Sequence, residues 1–439
     1  MVNQYKDVPH LIFRAHDSQK DIPLDVSSRD KKMLRELGKQ YAEIASLPVF
    51  EEKKKMWRKL NDLESVKPMT WLNEVCWNEM EVDDELRIKT DSEFCQMIES
   101  ELRKVIYQWK HMPGDMVVEP VIYSPLIVEN SGIGISEKVD IVFTEKDNDV
   151  VSRHYCIQIK DEEDIEKIKN PEIIHNQKGS QDFYQAYSDI FEGILDVKSR
   201  GVPGFWFAPW DDLIAWTGIQ EALIDLSLRP EYIHELVKRL VSVYIGTLEQ
   251  YERLDLLASN NCNVRIGSGA YGYTQQLPEA NSDEKNIKAR DIWGASAAQI
   301  FAAVSGKMHK EFGINYEKLW LEKFGLSYYG CCEALDKKID ILRDISNLRK
   351  ISISPWADLG EAVSRIGKDY VISLKPSPAI FASDGWDPQY VREDLDRKFK
   401  IAKGYNVEVI MKDISTVRHH PERLWEWARI ASELSEKYL

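Results

Sequence analysis

The sequence predicts an α/β protein built as a (β/α)8 barrel with an N-terminal helical extension. Three observations lead there. In the last third of the chain, apolar strands alternate with amphipathic helices over short connections, an order that builds a parallel sheet. Several of these strands end in reactive or charged residues (Cys331-Cys332-Glu333, Lys375, Lys412-Asp413) rather than in ordinary turn residues. Barrels of this type carry their chemistry at the carboxyl ends of the strands. Finally, 439 residues suit a barrel of usual size plus an extension.

Residues 1–112 are read as the extension. Apolar positions recur at helical spacing from Asp30, with Ser28 as the expected N-cap. Residues 50–63 are charged and amphipathic. Asp91-Ser92 precedes a third run with Phe94, Met97, Ile98, Leu102 and Ile106 on one face. Residues 113–439 are read as the barrel. Its first strand is expected at 116–123, and an accessory hairpin at about 136–160. Further strands are expected at 204–208 and 263–267. A helix runs from Pro230, favourable because proline's missing donor is not needed in a first turn. A helix over 296–324 leads into a strand at 326–329. The clearest strands are 350–354, 369–374 and 407–411, and Pro421 opens a terminal helix. There is no internal repeat and no low-complexity linker.

Composition narrows the function classes. Net charge is −15, so the basic stripe of a nucleic-acid binder is missing, and adhesion to an anionic membrane is disfavoured. No run reaches the length of a membrane span. Met1 to Asp7 lacks an apolar signal region. The six cysteines show no disulfide framework and suit a reducing, cytoplasmic setting. Thirteen Trp and an aromatic share of 10% allow a large core. A homo-oligomer is compatible with all of this.

The candidate chemistry clusters at the strand ends. Cys331, Cys332 and Glu333 are candidate zinc ligands, completed by Asp413 or a distant His; a catalytic zinc keeps one position open. The ordinary alternative is one core and one inert cysteine, since adjacent cysteines lack the Cys-x-x-Cys spacing of a firm zinc signature. A vicinal disulfide is a lesser alternative. Lys375, Lys412, Asp413 and Asp358 are candidate catalytic groups, as a shared anion site or a paired general acid; solvated loop charges are the alternative. Gly267 to Gly272 matches G-x-G-x-x-G, but Pro278 blocks the helix a dinucleotide site needs. It is read instead as a loop at the barrel mouth that brings backbone close to a ligand, with Arg265 and Tyr271 lining it. Trp210, Tyr329 and Trp356 are expected to bind substrate among aromatics that mostly fill the core. His309 is expected on a helix surface, and His419-His420 in a surface loop.

On these residues the chain resembles the uroporphyrinogen decarboxylase superfamily. The resemblance covers 204–439: the segment at Phe207-Ala-Pro-Trp210, the helix before Phe324, the cysteine-bearing strand end, and the last strand with its proline-led helix. It implies a TIM barrel, and a relation to the haem-pathway decarboxylase and to cobalamin-linked methyltransferases. The Arg-Gln-Ala-Gly-Arg motif of the decarboxylase has no counterpart here. In the coenzyme M methyltransferases, zinc is held by a His-x-Cys and a Cys on the last strand. Cys331 matches the first Cys, Tyr329 stands in place of the His, and Asp413 lies near the last Cys.

The resulting expectation is a methyltransferase. It would move a methyl group from a small methylated substrate, such as a methoxylated aromatic, to or from the cobalt of a separate corrinoid protein. The alternatives are a decarboxylase that clamps carboxylates with Arg265, Lys375 and Lys412, and a non-catalytic barrel that serves as a partner subunit.

Overall fold

A computed structural model describes residues 22–143, 151–278 and 286–438. Met1 to Asp7, read above for a signal region, lies outside them, as does the turn of the accessory hairpin. At the centre is a parallel sheet of six strands. We number them β1 (Met69–Leu72), β2 (Trp293–Ser296), β3 (Leu326–Tyr329), β4 (Leu348–Ile353), β5 (Val371–Leu374) and β6 (Val407–Met411). Their order across the sheet is β1-β6-β5-β4-β3-β2. The first strand therefore pairs with the last, Leu72 opposite Met411. Beyond β2, a parallel bridge joins Phe207 to Ser296 and adds one more position.

The sheet starts earlier than the reading of 1–112 as extension allowed. β1 has only four residues, too few for strand periodicity to show between charged helices. The expected strand at 116–123 is instead Val121–Pro125, which pairs outside this sheet with Asp196–Arg200. Segment 204–208 contributes only the Phe207 bridge, and 263–267 turns back on itself through an antiparallel bridge from Arg265 to Tyr271. The hairpin is present as Val139–Phe143 against Val151–Tyr155. The expected 296–324 helix begins later, at Gly306, and is interrupted by a π-helical turn over Lys310–Ile314.

The two faces of the sheet differ. On the outer face, Ile351, Ile353, Ile372, Leu374, Val407, Val409 and Met411 share one core with helices Leu359–Ile366, Pro388–Ile401 and Glu422–Ser435 through Val363, Leu395, Phe399, Leu424 and Trp427. Each aliphatic side chain buried this way contributes about 1.5–3 kcal/mol. The inner face carries Tyr328, Lys350, Ser352, Ser373 and Glu408, all with essentially no exposure. Alternation along each strand explains the split.

The segment from Arg265 to Tyr273 fills the space over that inner face. Gly269 comes so close that a Cβ there would lie 2.4 Å from Glu408 and 2.6 Å from the Tyr328 ring. Glycine is required for this approach. The Gly-rich run thus meets the protein's own interior, a correction to the expected ligand-facing loop. Helix Val49–Asn61 closes one side: Trp57 packs with Tyr271, and the Asn61 side chain donates to the carbonyls of Tyr271 and Tyr273 at 3.0 and 2.7 Å. Among the described residues, no helix is long and apolar enough to cross a membrane.

Candidate active site

β3 is followed directly by Gly330, whose φ of +97° is unfavourable for any residue with a Cβ. This turn releases the chain and places Cys331 and Cys332 at the carboxyl edge of the sheet. Three bonds fix it. The buried Glu333 carboxylate accepts from the backbone N–H of Cys331 at 2.9 Å and of Ala298 at 3.1 Å, and Ser352 Oγ donates to the Cys331 carbonyl at 2.9 Å. Burial raises the Glu333 pKa against these donors. The thiol sulfurs stand 3.5 Å apart.

β6 delivers Lys412 and Asp413 to the same place. Lys412 Nζ lies 3.7 Å from Cys331 Sγ and 3.3 Å from Glu74 Oε2, and it donates to Asp413 Oδ2. Cys332 Sγ lies 3.8 Å from Asp413 Oδ2. Glu74, two residues beyond β1, is the hub: its other oxygen accepts from Arg265 at 2.6 Å, and Arg265 also donates to Asn73 at 3.2 Å. The Asp413 N–H donates to Glu74 at 3.2 Å. Glu74 and Asp413 both hold positive φ, +49° and +56°, and strained non-glycine residues of this kind gather at functional sites.

The charges set one another. Burial works to raise Glu74, but Arg265 and Lys412 outweigh it and hold the carboxyl well below the usual range. Burial works to lower Lys412, yet Cys331, Glu74 and Asp413 hold it as an ammonium. Asp413 is pushed up by burial and by Glu74, against the pull of Lys412. The thiols behave as a pair: the hydrogen bond from Cys331 favours the thiolate of Cys332, and the same bond raises Cys331. The side chain of Asp413 is 52% exposed and Cys332 is half-buried, so the cluster reaches solvent through these two.

Lys375, at the end of β5, is deeper. Its Nζ contacts Tyr328 Oη and Ser373 Oγ at 2.5 Å each, and the Ser373 carbonyl at 3.0 Å. Ser268 Oγ lies 2.9 Å from the same Tyr328 hydroxyl. Burial lowers the amine to about 7, with Lys412 pushing the same way and Glu408 opposing. One layer further in, Lys350 and Glu408 form a fully buried ion pair at 2.9 Å.

The structure thus brings together Cys331, Cys332, Lys412, Asp413 and Arg265, with Lys375 below them. The other candidates lie elsewhere. Asp358 is exposed and caps a helix by accepting from Glu361 N at 2.9 Å. Trp356 is 81% exposed. Trp210 is core, its indole N–H donating to the Phe312 carbonyl at 2.9 Å. Tyr271 is buried against Trp71, ring centroids 4.7 Å apart. Tyr329 points to the outer face, where its hydroxyl donates to Glu317 and contacts His309 Nε2, both at 2.7 Å. His309 is therefore fully buried, not on a surface, and it packs against Phe301 and meets the Tyr329 hydroxyl. His419 and His420 are exposed.

The site does not fit zinc. Among the described residues, no three His, Cys, Asp or Glu side chains converge as a ligand set. Glu333 is turned to backbone N–H groups, and the Lys412 ammonium stands among the thiols and Asp413 where a cation would sit. Sequence reasoning missed Glu74 and Asn73. The available signal was a polar pair directly after a short apolar run, Met69-Thr-Trp-Leu72.

No family model and no curated protein matches this chain. Among solved structures it is similar to a methyltransferase from Methanosarcina mazei, with a TM-score of 0.48 and 8% identity, covering 87% of this chain and 98% of that one. A likeness that distant is silent on reaction and on residue roles.

Proposed function

We propose that the protein is a methyltransferase whose sheet is the arc of a (β/α)8 barrel, and that it moves a methyl group between a small methylated substrate and a separate corrinoid protein. The reading rests on the sequence resemblance and on one observation: Asp413, Lys412 and the two thiols form a single cluster open to solvent at the carboxyl edge of the sheet. Demethylating an ether or amine breaks a C–O or C–N bond and leaves the electron pair on oxygen or nitrogen. That atom then needs a proton. Asp413, with its raised carboxyl and half-exposed side chain, is the group to supply it. Lys412, held cationic, stabilises the charge that develops on the leaving atom. The corrinoid of the partner supplies the cobalt that takes the methyl group. Substrate and partner approach over Cys332 and Asp413, the two members of the cluster that reach solvent.

The test is to mix the protein with cob(I)alamin and a panel of methoxybenzoates and methylamines. The expected result is loss of the cobalt(I) absorbance with at least one donor, slowed by Asp413→Asn. No loss with any donor overturns the reading. A decarboxylase is less well supported: Arg265 and Lys412, its proposed carboxylate clamps, are already paired with Glu74. Release of carbon dioxide from a carboxylated substrate without any corrinoid would reverse that preference.

A further inference from the structure

The six cysteines are not alike. Burial raises the thiols of Cys76, to about 12, of Cys95, and of Cys262, to about 11, and so makes each a poor nucleophile at neutral pH. Cys331 and Cys332 are placed differently. Their sulfurs are 3.5 Å apart, the Lys412 ammonium stands 3.7 Å from one, and the other is half-buried at the solvent edge. The Cys331 thiol lies within hydrogen-bond reach of Cys332 and favours its thiolate, the reactive form, against the Asp413 carboxylate 3.8 Å from Cys332. The chain around them is held by Glu333 and Ser352, so the two sulfurs stay in contact.

We propose that Cys331 and Cys332 are a thiol–disulfide exchange site that takes a low-molecular-weight disulfide as its oxidant, with Cys332 attacking and Cys331 resolving. The Cys332 thiolate attacks one sulfur of the disulfide RSSR. The Cys332–SR bond forms, the S–S bond of RSSR breaks, and RS− leaves to take a proton from solvent. Cys331 then attacks Cys332. A Cys331–Cys332 bond forms, the mixed disulfide breaks, and the second RS− leaves with the Cys331 proton. The dithiol loses two electrons, and RSSR becomes two RSH. Cys331 is buried and reaches only its neighbour, which fits the resolving role. A bond between adjacent residues closes a strained ring, so small thiols reverse it readily. The site is therefore a reversible one.

The inference does not depend on the methyl-transfer reading, and its readout is independent of any turnover. The folded protein is treated with dithiobis-nitrobenzoate, a small aromatic disulfide, and with oxidised glutathione. The Cys331→Ser/Cys332→Ser double variant gives the background from the other cysteines. Above that background, wild type is expected to release both halves of the aromatic disulfide. Its intact mass should then lack two hydrogens and carry no label, and dithiothreitol should restore it. Cys331→Ser should release one half and retain the other as a mixed disulfide. Cys332→Ser should react about tenfold more slowly. A wild-type protein that retains the label, or a Cys332→Ser variant that reacts as fast as wild type, overturns the proposal. The wild-type mass alone decides the case if a variant fails to fold.

Discussion

Lys412, just past the last strand, and Glu74, just past the first, meet at 3.3 Å. This contact joins the first and last strands of the sequence, which are neighbours in the sheet, at the edge where the candidate chemistry lies. Glu74 also takes Arg265 from the glycine-rich segment, so one carboxylate neutralises two cations from different parts of the fold. Replacing it by Gln leaves both cations poorly compensated in a mostly buried site. Breaking such a pair costs about 3 kcal/mol. Glu74→Gln is therefore expected to lower unfolding stability by about that amount at neutral pH. The folded carboxyl is depressed, so its contribution is present above the unfolded value of about 4.3 and is lost as pH falls through the folded value. The gap between wild type and variant in urea unfolding should close as the pH drops below about 4. A gap that is constant with pH would contradict this account.

Lys375 gives a pH slope of the same sign, but as a burial penalty rather than a gain. Its amine titrates near 7 in the folded protein and near 10.4 in an unfolded chain. Between these values the unfolded chain holds a proton that the folded one does not. Stability should then rise with pH across that window, by up to about 1.4 kcal/mol per unit, and the full penalty applies below it. Lys375→Met should remove this rise and be the more stable protein at pH 6. Parallel stability profiles for the two proteins would show that Lys375 is charged throughout.

The outer face was legible in the sequence because it follows the simple rules. β6 matches the expected 407–411 run, and β3 to β5 lie within two residues of expectation, because they are apolar runs next to amphipathic helices. The polar strand ends were legible for the same reason: Cys331, Lys412 and Asp413 break an apolar pattern. What stayed hidden was long-range. Glu74 lies 338 positions before Lys412, and nothing local marks it as that residue's partner. The inner face reads as polar positions inside strands, and only the fold shows that Glu408, Lys350 and Ser373 satisfy one another. Tyr329 misled for a related reason. The alternation of a strand decides which of two adjacent tyrosines faces inward, and here it is Tyr328.

Lys350 and Glu408 are the buried pair of that inner face, both with no exposure. Lys350→Met strands the carboxylate and should cost about 3–5 kcal/mol. The double variant Lys350→Met/Glu408→Leu removes both charges and should recover most of that loss. Recovery has a limit, since Glu408 also accepts from Ser373 Oγ at 2.5 Å and from Ala270 N at 3.3 Å, and these donors lose a partner. Thermal unfolding of the four proteins in the cycle measures the coupling. Additive losses would mean that the pair is not an energetic unit.

Gly269 tests whether the glycine-rich segment is an internal filler. A methyl group at this position would collide with Glu408 at 2.4 Å and with the Tyr328 ring at 2.6 Å. Neither can retreat, because Glu408 is held by Lys350 and Ser373, and Tyr328 by Lys375 and Ser268. Gly269→Ala should therefore destabilise by about 1–3 kcal/mol, the usual cost of overpacking. It should also shift the titration of Lys375, since Tyr328 is that amine's neighbour. Gly306→Ala is the control: nothing lies within 4 Å of a Cβ there, and the position begins a helix. It should be neutral or stabilise by up to about 1 kcal/mol. If the two substitutions had equal effects on thermal unfolding, the segment would not be packed against the inner face, and Lys375 would lie in a more open setting than its contacts describe.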